Sequence, residues 1–357
     1  IKRMDFSMRL HGYARLVGFR TIPAKPTTCR IKVQQETKDP RLELIQGYFR
    51  GAADTHKVKK FLLGREQWRS LPDYWTAGKS TVGTFHTIFD SPISHHKFWQ
   101  DAKGAFQAYV WLNPEPSETI EGNANSWRML IHPSLRTVAL TSSIVEAAEE
   151  QLLSLTGFDG ATGQFETVAY GTDTWLASLL EDHGYTKQDA LDVYMQRSLD
   201  DAIDEPNLND GYIVRPFNGE SDLIQRAGVQ SDAFAGQSEP DAWALENINR
   251  FLRWYEGRKD LDLVAVSDSG EIASFAVFLI DPGTLMGELD PVGTRELHQR
   301  KGLSKTLLLT GLQYMKANGM KHASVRAGVE NTPAIRTYES VGFRIVDHLY
   351  RYTKSGL

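Results

Sequence analysis

The segment spanning residues 286–343 contains the side chains whose types and spacing suit the binding of a phosphate-bearing ligand. At its centre, a basic turn between a predicted strand and a long helix consists of Gln299, Arg300, Lys301, Gly302, Leu303 and Ser304. The first backbone N–H groups of a helix have no partners within the helix, and the helix dipole makes that end positive. The turn therefore predicts a phosphate site, to which Arg300 and Lys301 would add charge-assisted contacts.

The spacing of this turn differs from that of the common nucleotide-binding motifs. It reads Q-x-x-G-x-S, and so matches neither the G-x-x-x-x-G-K-[ST] of a P-loop nor the G-x-G-x-x-G of a dinucleotide-binding turn. The alternative interpretation is an ordinary loop in which two solvated cations precede a helix. The residues that follow the turn favour the ligand-binding interpretation.

The elements after the turn have a regular order. Apolar residues at helical spacing predict an amphipathic helix with one apolar face, formed by Leu303, Leu307, Leu308, Leu312 and Met315. Residues 322–329 predict a strand, and Asn331 offers a start for the next helix. That short helix contains Tyr338 and ends at Gly342, and Phe343 begins another strand.

This ordered set resembles the GNAT superfamily, the GCN5-related N-acetyltransferases. In that family a strand, an R/Q-x-x-G-x-G/A turn and a helix hold the pyrophosphate of acetyl-CoA, and a later N…A…Y…GF segment supplies an Asn and a Tyr near the thioester. The chain has Ser304 where the family has Gly or Ala. The resemblance covers roughly residues 42–357, and its motifs are strong only in the C-terminal half.

The resemblance implies a set of residues that bind acetyl-CoA, the expected donor. The turn at 299–304 would hold the pyrophosphate, and Asn331 would lie near the cofactor arm. The backbone of Val292, Gly293 and Thr294 would pair with the pantetheine arm and direct an N–H group to the thioester oxygen. No metal is expected.

The resemblance also implies two catalytic residues. Tyr338 would donate a proton to the departing thiolate, and Glu288 would accept the proton of the amine, often through a water. Asp290 is the rival base, because residues two apart on a regular strand share a face. Each of these residues also has a structural explanation. Tyr338 could simply pack in the core, and Glu288 and Asp290 could be solvated or ion-paired carboxylates. His298 is read as a surface histidine, with acid–base work as its alternative.

The chain reads as two halves of similar design. Residues 1–40 contain nine Lys/Arg against three acidic residues, a local charge of +6, and we expect them to form a basic, poorly ordered extension. Residues 41–205 then predict an N-terminal GNAT-like domain, and residues 206–357 the C-terminal acetyl-CoA-binding catalytic domain. An acidic linker at 200–211 marks the boundary.

Aligning the halves on Tyr185 and Phe343 indicates that the first half has lost its chemistry. Leu180 then stands where Tyr338 stands, and Asp173 where Asn331 stands. The sequence RTVALT at 136–141 replaces the turn and has no glycine. The arrangement is similar to tandem GNAT proteins in which one domain is degenerate. We expect an α/β (mixed α+β) fold with two GNAT-like lobes, each a mostly antiparallel mixed sheet flanked by helices.

Composition narrows the class of protein further. A formal net charge of −5 argues against a nucleic-acid partner that is held by bulk charge. The chain has no run of about 18 apolar residues, so no membrane span is expected. A single cysteine, Cys29, excludes an internal disulfide and is typical of a reducing compartment, which indicates a cytoplasmic protein.

Other suggestive residues have ordinary explanations. His86, His95 and His96 lack the carboxylate spacing of a metal site. The predicted helices near 239–256 contain aromatic and acidic residues. We expect the aromatic residues to pack in the core and the acidic residues to form a solvated face. The alternative is that some of them line a pocket for a cationic acceptor. These residues are Trp243, Trp254, Tyr255, Glu239, Asp241, Glu246 and Glu256.

Taken together, these features predict an acetyl-CoA-dependent N-acetyltransferase. Its acceptor would be a primary amine of a small molecule, with a cationic aminoglycoside or polyamine as an example, and the chain could assemble as a homodimer. The alternative from a different class is a non-catalytic acyl-CoA-binding or regulatory module. Fold alone does not determine the acceptor.

Overall fold

The computed structural model describes residues 30–32, 43–48, 95–114, 124–131, 135–156, 164–237, 239–254 and 257–355, together with Asp54, Lys57 and Phe61. Most of the predicted extension at 1–40, the predicted helix at 52–64 and three singled-out residues lie outside these ranges. The three are His86, Tyr255 and Glu256.

Thirteen strands are described. They are β1 (Arg30–Lys32), β2 (Glu43–Tyr48), β3 (His96–Gln100), β4 (Phe106–Asn113), β5 (Ala124–Ile131), β6 (Gln164–Tyr170), β7 (Thr186–Ser198), β8 (Tyr212–Pro216), β9 (Asp262–Ser267), β10 (Ile272–Asp281), β11 (Met286–Thr294), β12 (His322–Gly328) and β13 (Arg344–Ser355). Alternation of buried and exposed side chains in β4 and β6 matches the period-two pattern of the sequence. Strand β3 was not predicted.

Six α-helices are described. They are α1 (Val138–Thr156), α2 (Thr174–Asp182), α3 (Leu223–Ala235), α4 (Ala242–Trp254), α5 (Leu303–Ala317) and α6 (Thr332–Glu339). The predicted apolar face of α5 is buried against the sheet, and Gly311 lets Phe278 approach the helix closely. None of the helices in these ranges is long and apolar enough to cross a membrane.

The strands form one sheet in the order β1-β2-β3-β4-β5-β6-β13-β7-β12-β11-β10-β9-β8. Neighbouring strands are antiparallel except for the pairs β5/β6 and β11/β12, which are parallel. Separate core clusters under α1 and α5 serve the two halves. The expected mixed, mostly antiparallel sheet flanked by helices is confirmed.

The two halves exchange their last strands. Strand β7, which closes the first half in sequence, pairs with β12 along its length from Ser198 to Asp192. The C-terminal strand β13 pairs with β6 of the first half and with β7. The central part of the sheet therefore depends on both halves, and this exchange was not predicted from the sequence.

Each parallel strand pair separates after three residues. Strands β11 and β12 pair from Met286/His322 to Glu288/Ser324, but they continue to Thr294 and Gly328 without pairing to each other. The register of β10 against β11 also shifts at this point, between Ala276 and Phe278. Strands β5 and β6 likewise pair only to Ser126/Glu166. A V-shaped opening results in each half.

Candidate functional site

A cleft of about 490 Å³ lies where β11 separates from β12 and α5 begins. Nine of the ten predicted cofactor-binding residues line it: Val292, Gly293, Thr294, Gln299, Arg300, Gly302, Leu303, Ser304 and Asn331. The tenth, Lys301, lies outside the lining. Tyr338 also lines the cleft, whereas Glu288 does not. The fold thus brings two distant segments of the chain together at one opening.

The turn owes its shape to a left-handed glycine. Gly302 directly precedes α5 with φ 75°, and Arg300 also has positive φ, at 61°. L-residues with a side chain rarely adopt this conformation, whereas glycine does so freely. Within the described part of the chain, no atom lies within 4 Å of the position that a Cβ of Gly302 would occupy. The turn therefore presents open backbone at the start of the helix.

The charges around this helix start suit an anion. The first turn of α5, described in full, contains no acidic residue, although helices generally favour acids there. Instead, the exposed cations Arg300 and Lys305 line the cleft. Free backbone N–H groups and cations at a helix N-terminus are the donor set that phosphate groups prefer. The residues present therefore fit the pyrophosphate of acetyl-CoA.

The turn is held in place by the linker between the halves. The Lys301 ammonium donates to the Tyr212 hydroxyl over 3.0 Å, and Asn209 Nδ2 donates to the Lys301 carbonyl over 2.6 Å. The same Tyr212 hydroxyl is hydrogen-bonded to His298 Nδ1 at 2.8 Å, and His298 Nε2 lies 3.3 Å from the Glu271 carboxylate. In this conformation Lys301 and His298 brace the turn.

Ser304 joins the turn to the sheet. Its hydroxyl is 2.8 Å from the Thr294 hydroxyl, which is 2.7 Å from the Ser274 hydroxyl. Ser274 is buried on β10 and also donates to the Gly293 carbonyl over 2.8 Å. The serine that departs from the family pattern thus connects α5, β11 and β10.

Asn331 and Tyr338 belong to the short helix α6 on the other side of the cleft. The Asn331 side chain accepts a hydrogen bond from the Ala334 N–H over 3.2 Å and so caps the helix, as its sequence position predicts. Tyr338 is buried, with 8% of its surface exposed. Burial, and secondarily the Asp290 carboxylate, raises the pKa of the Tyr338 phenol above its ordinary value. The hydroxyl is therefore protonated at neutral pH.

The two candidate bases lie on β11 before the cleft. Glu288 is buried, with 2% of its surface exposed, and Asp290 is half-buried. The register shift of β10 against β11 falls at Asp290, and this carboxylate influences the Tyr338 phenol. Neither carboxylate lines the cleft, and of the two only Asp290 acts on the Tyr338 phenol.

The N-terminal half repeats this local architecture. Asp173 caps α2 with φ −83° and ψ 64°, and Asn331 caps α6 with φ −82° and ψ 61°. Beyond each helix the chain turns back in the same way, since the Tyr185 N–H donates to the Leu180 carbonyl and the Phe343 N–H to the Tyr338 carbonyl. The sequence alignment of the two halves on Tyr185 and Phe343 thus agrees with their backbone hydrogen bonds.

The first half fills the space that the second half leaves open. Both terminal guanidinium nitrogens of Arg136, Nη1 and Nη2, donate to the Asp173 carboxylate, over 3.1 and 2.8 Å, and the guanidinium lies 5.0 Å from the Trp175 ring centre. Only about 30 Å³ remains in the cavity beside Asp173, roughly the volume of one water molecule. An ion pair therefore occupies the region that corresponds to the cleft.

The other candidate residues that the structure describes do not line this cleft. His96 is buried and hydrogen-bonded to Tyr109 at 3.0 Å, and no group of three or more metal-binding side chains occurs in the described ranges. Asp241 caps α4 by accepting from the Ala244 N–H over 2.6 Å. Trp243 is half exposed on α4.

Sequence reasoning missed several residues that line the cleft. They are Ala233, Phe234, Lys305, Pro333, Ala334, Thr337 and Ser340. Lys305 had a readable signal, because it occupies the first turn of the helix that follows the basic turn. Phe234 had none, because α3 reaches the cleft only through its packing against β10 and β11.

Comparison with known proteins agrees with this architecture. Residues 230–343 match the family model described as acetyltransferase (GNAT) family. A mycothiol acetyltransferase of Thermomonospora curvata is 27% identical over 253 residues, which are 70% of this chain and 79% of that protein.

Two solved structures share the fold. A tandem GNAT protein from the clavulanic acid biosynthesis pathway matches with a TM-score of 0.62 at 15% identity, over 87% of this chain and 98% of that one. A GCN5-related N-acetyltransferase from Sphaerobacter thermophilus matches with a TM-score of 0.57 at 18% identity, over 87% of this chain and 95% of that one. With the cleft and its turn, the family match over residues 230–343 and these relatives support a GNAT-type acetyltransferase.

Proposed function

We propose that the C-terminal half transfers an acetyl group from acetyl-CoA to a primary amine of a small molecule. One observation carries the proposal: a single cleft is lined at one side by an open helix start and at another by the protonated Tyr338. Acetyl transfer requires these two functions together, namely a holder for phosphates and a proton donor for the leaving thiolate.

The residues of the turn hold the donor. Backbone N–H groups of Leu303 and Ser304 at the start of α5, together with Arg300 and Lys305, bind the pyrophosphate. Along β11, the backbone of residues 292–294 pairs with β10 on one side and has no pairing with β12 on the other. That side is available to the pantetheine arm, and binding along it removes much of the entropic cost of bringing donor and amine together.

Tyr338 supplies a proton at the end of the cleft. Acetyl-CoA, when bound, contributes a thioester carbonyl and a thiol leaving group. The Tyr338 phenol keeps its proton at neutral pH because burial and the Asp290 carboxylate disfavour the phenolate. It can therefore donate to the sulfur as the carbon–sulfur bond breaks.

The carboxylates of β11 remove the proton of the amine. Glu288 is our candidate from the family resemblance, and its burial means that a water relays the proton. Asp290 is more exposed and lies nearer to Tyr338. The variants Glu288→Gln and Asp290→Asn decide between them, since only the base variant should lower kcat by roughly a hundredfold or more.

The acceptor is a small molecule that carries a primary amine. Two carboxylates beside the reaction end favour a cationic acceptor of the aminoglycoside or polyamine kind. The relatives named mycothiol acetyltransferase add a mycothiol-type acceptor to the candidates. Phe234 is half exposed where α3 borders the cleft, and it forms an apolar wall there.

The N-terminal half is the non-catalytic partner in this proposal. Its β5 has Ser126 and Arg128 at the positions that Glu288 and Asp290 occupy on β11, by the matching registers of the two parallel pairs. A cation at this place would repel an ammonium rather than accept its proton. The Arg136–Asp173 pair and the replacement of Tyr338 by Leu180 support the same assignment.

Two measurements test the proposal. Calorimetry with acetyl-CoA should show binding, and a thiol-release assay should show turnover with at least one amine of a panel of aminoglycosides, polyamines, amino acids and mycothiol-type amines. Tyr338→Phe should lower kcat by roughly a hundredfold while the affinity for acetyl-CoA is retained. Tyr352→Phe is the control, because Tyr352 is also buried but lies in the core of the first half. Binding without turnover on any amine would contradict the proposal.

A further inference from the structure

Arg326 on β12 lies among carboxylates from two neighbouring strands. Ala323, Val325 and Ala327 pack into the core under α5, so Ser324 and Arg326 point to the opposite face of the sheet. Ser324 is the register partner of Glu288. Arg326 lies two residues further along, where β11 and β12 separate, and therefore faces the opening beside Glu288 and Asp290.

A third carboxylate reaches Arg326 from the exchanged strand. Asp192 on β7 has its Oδ2 3.9 Å from Arg326 Nη1. Both side chains are largely buried, with 19% of Arg326 and 29% of Asp192 exposed. The contact joins the first half of the chain, through its last strand, to the region of the candidate bases.

From this placement we propose that Arg326 is a positioning residue for acetyl transfer, which holds the Glu288 and Asp290 carboxylates in place while Asp192 of β7 fixes its guanidinium. The inference rests on the proposed function and concerns the same site. It also gives the strand exchange a role, since the residue that fixes Arg326 belongs to the other half of the chain.

The charges around Arg326 support this role. Burial alone would lower the pKa of its guanidinium, but Tyr170, Glu288, Asp192 and Asp290 together raise it above the ordinary value. A permanent cation at this position favours the ionised form of each carboxylate that faces it. The titratable and charged groups that face this cluster from the surrounding elements are Arg128 on β5, Tyr170 on β6, Asp192 on β7, Glu288 and Asp290 on β11, and Tyr338 on α6.

The matching positions on β5 and β6 of the first half carry different side chains. By the registers of the parallel pairs, Val168 on β6 occupies the position of Arg326 on β12. An arginine, Arg128, occupies the position of Asp290 instead. The combination of two β11 carboxylates with an arginine on the neighbouring parallel strand therefore does not recur at the matching positions of the first half.

Variants of Arg326 test the inference through the pH profile of kcat/KM in the full-length protein. Arg326→Gln removes the cation, so the pKa of the base should rise and the acidic limb of the profile should move to higher pH by roughly one unit. At a pH on that limb, the activity should fall about tenfold. Arg326→Lys keeps the charge and should leave the limb near its wild-type position. Asp192→Asn removes an anion and should move the limb to lower pH.

A matched control separates positioning from stability. Arg351→Gln removes an arginine of similar exposure that lies 3.7 Å from Glu166 on the far side of β7. It should leave the profile unchanged. Equal losses in Arg326→Gln and Arg326→Lys at every pH, with an unmoved limb, would show a merely structural role and overturn the inference.

A second measurement does not depend on turnover. The carboxyl carbon signal of Glu288, followed by ¹³C NMR during a pH titration, should show a higher pKa in Arg326→Gln than in the wild type. Unchanged titration of the Glu288 carboxyl would overturn the inference, whereas a wild-type protein that is inactive on every amine would overturn only the proposed function.

Discussion

Arg136 and Asp173 form a two-hydrogen-bond ion pair at the place in the first half that corresponds to the open cleft of the second. The distances are 3.1 and 2.8 Å, and the two side chains are 14% and 11% exposed. Asp173 still caps its helix as Asn331 does, so the backbone architecture is retained while its cleft is closed. Removal of one partner of such a pair leaves an uncompensated, nearly buried charge.

This closure predicts that one chain binds one acetyl-CoA. Calorimetry should give a stoichiometry of about one per chain, because the cavity of about 30 Å³ beside Asp173 holds no more than a water, against about 490 Å³ in the second half. Arg136→Ala should leave the affinity for acetyl-CoA unchanged. A stoichiometry of two, or an affinity that follows Arg136, would contradict this assignment.

Gly302→Ala should weaken acetyl-CoA binding directly, in addition to lowering the free energy of unfolding. A side chain at φ 75° costs about 1–2 kcal/mol of folding free energy, and the new methyl group would project from the turn into the open space. Gly270→Ala is a matched control, since Gly270 has φ 82° and equally open surroundings in the β9–β10 hairpin. Urea unfolding should show similar losses for both variants.

Only Gly302→Ala should raise the Kd for acetyl-CoA, by roughly tenfold, which corresponds to about 1.4 kcal/mol. Equal effects of the two variants on the Kd would show that the turn has no special part in binding.

A fragment of residues 206–357 should fail to fold cooperatively. Without β7, strand β12 would keep only its three-residue pairing with β11, and β13 would lose both of its neighbours. The exposed backbone groups would then lack their hydrogen-bond partners within the sheet. A fragment of residues 184–357 restores β7, and it should show a sharper urea transition in circular dichroism. Identical transitions of the two fragments would argue against this dependence.

Arg226→Met should destabilise the protein by about 3–5 kcal/mol, because it leaves the buried Asp262 carboxylate without its partner. Arg226 Nε lies 3.0 and 2.9 Å from the two Asp262 oxygens, both side chains are 1% exposed, and the guanidinium lies 3.4 Å from the Phe275 ring centre. The pair joins α3 to β9.

The double variant Arg226→Met/Asp262→Leu should recover most of that loss in urea unfolding. Arg258→Met provides the comparison, since its pair with Asp260 is about 40% exposed on both sides (43% and 41%) and should contribute about 1 kcal/mol or less. If Arg258→Met lowered the free energy of unfolding as much as Arg226→Met does, burial would not explain the contribution of the Arg226–Asp262 pair.

Periodicity and capping signals were sufficient to predict most of the regular elements. The 164–170 strand, the β9–β10 hairpin turn at Asp268-Ser269-Gly270 and the apolar face of α5 all occur as predicted. These features are local, because a strand or a helix reveals its buried face within a few residues. The turn at 299–304, Asn331 and Tyr338 could be singled out for the same reason.

The sequence by itself therefore determined the fold class, the resemblance to the GNAT superfamily, and the turn, Asn331 and Tyr338 of the cleft. Only the tertiary structure decided how the halves share strands, that Lys301 contacts Tyr212, and that Asp192 reaches Arg326. Each of these features depends on pairing between segments that are far apart in the chain. The packing of the whole sheet determines which of the possible strand pairings forms. No local pattern of residues encodes that choice.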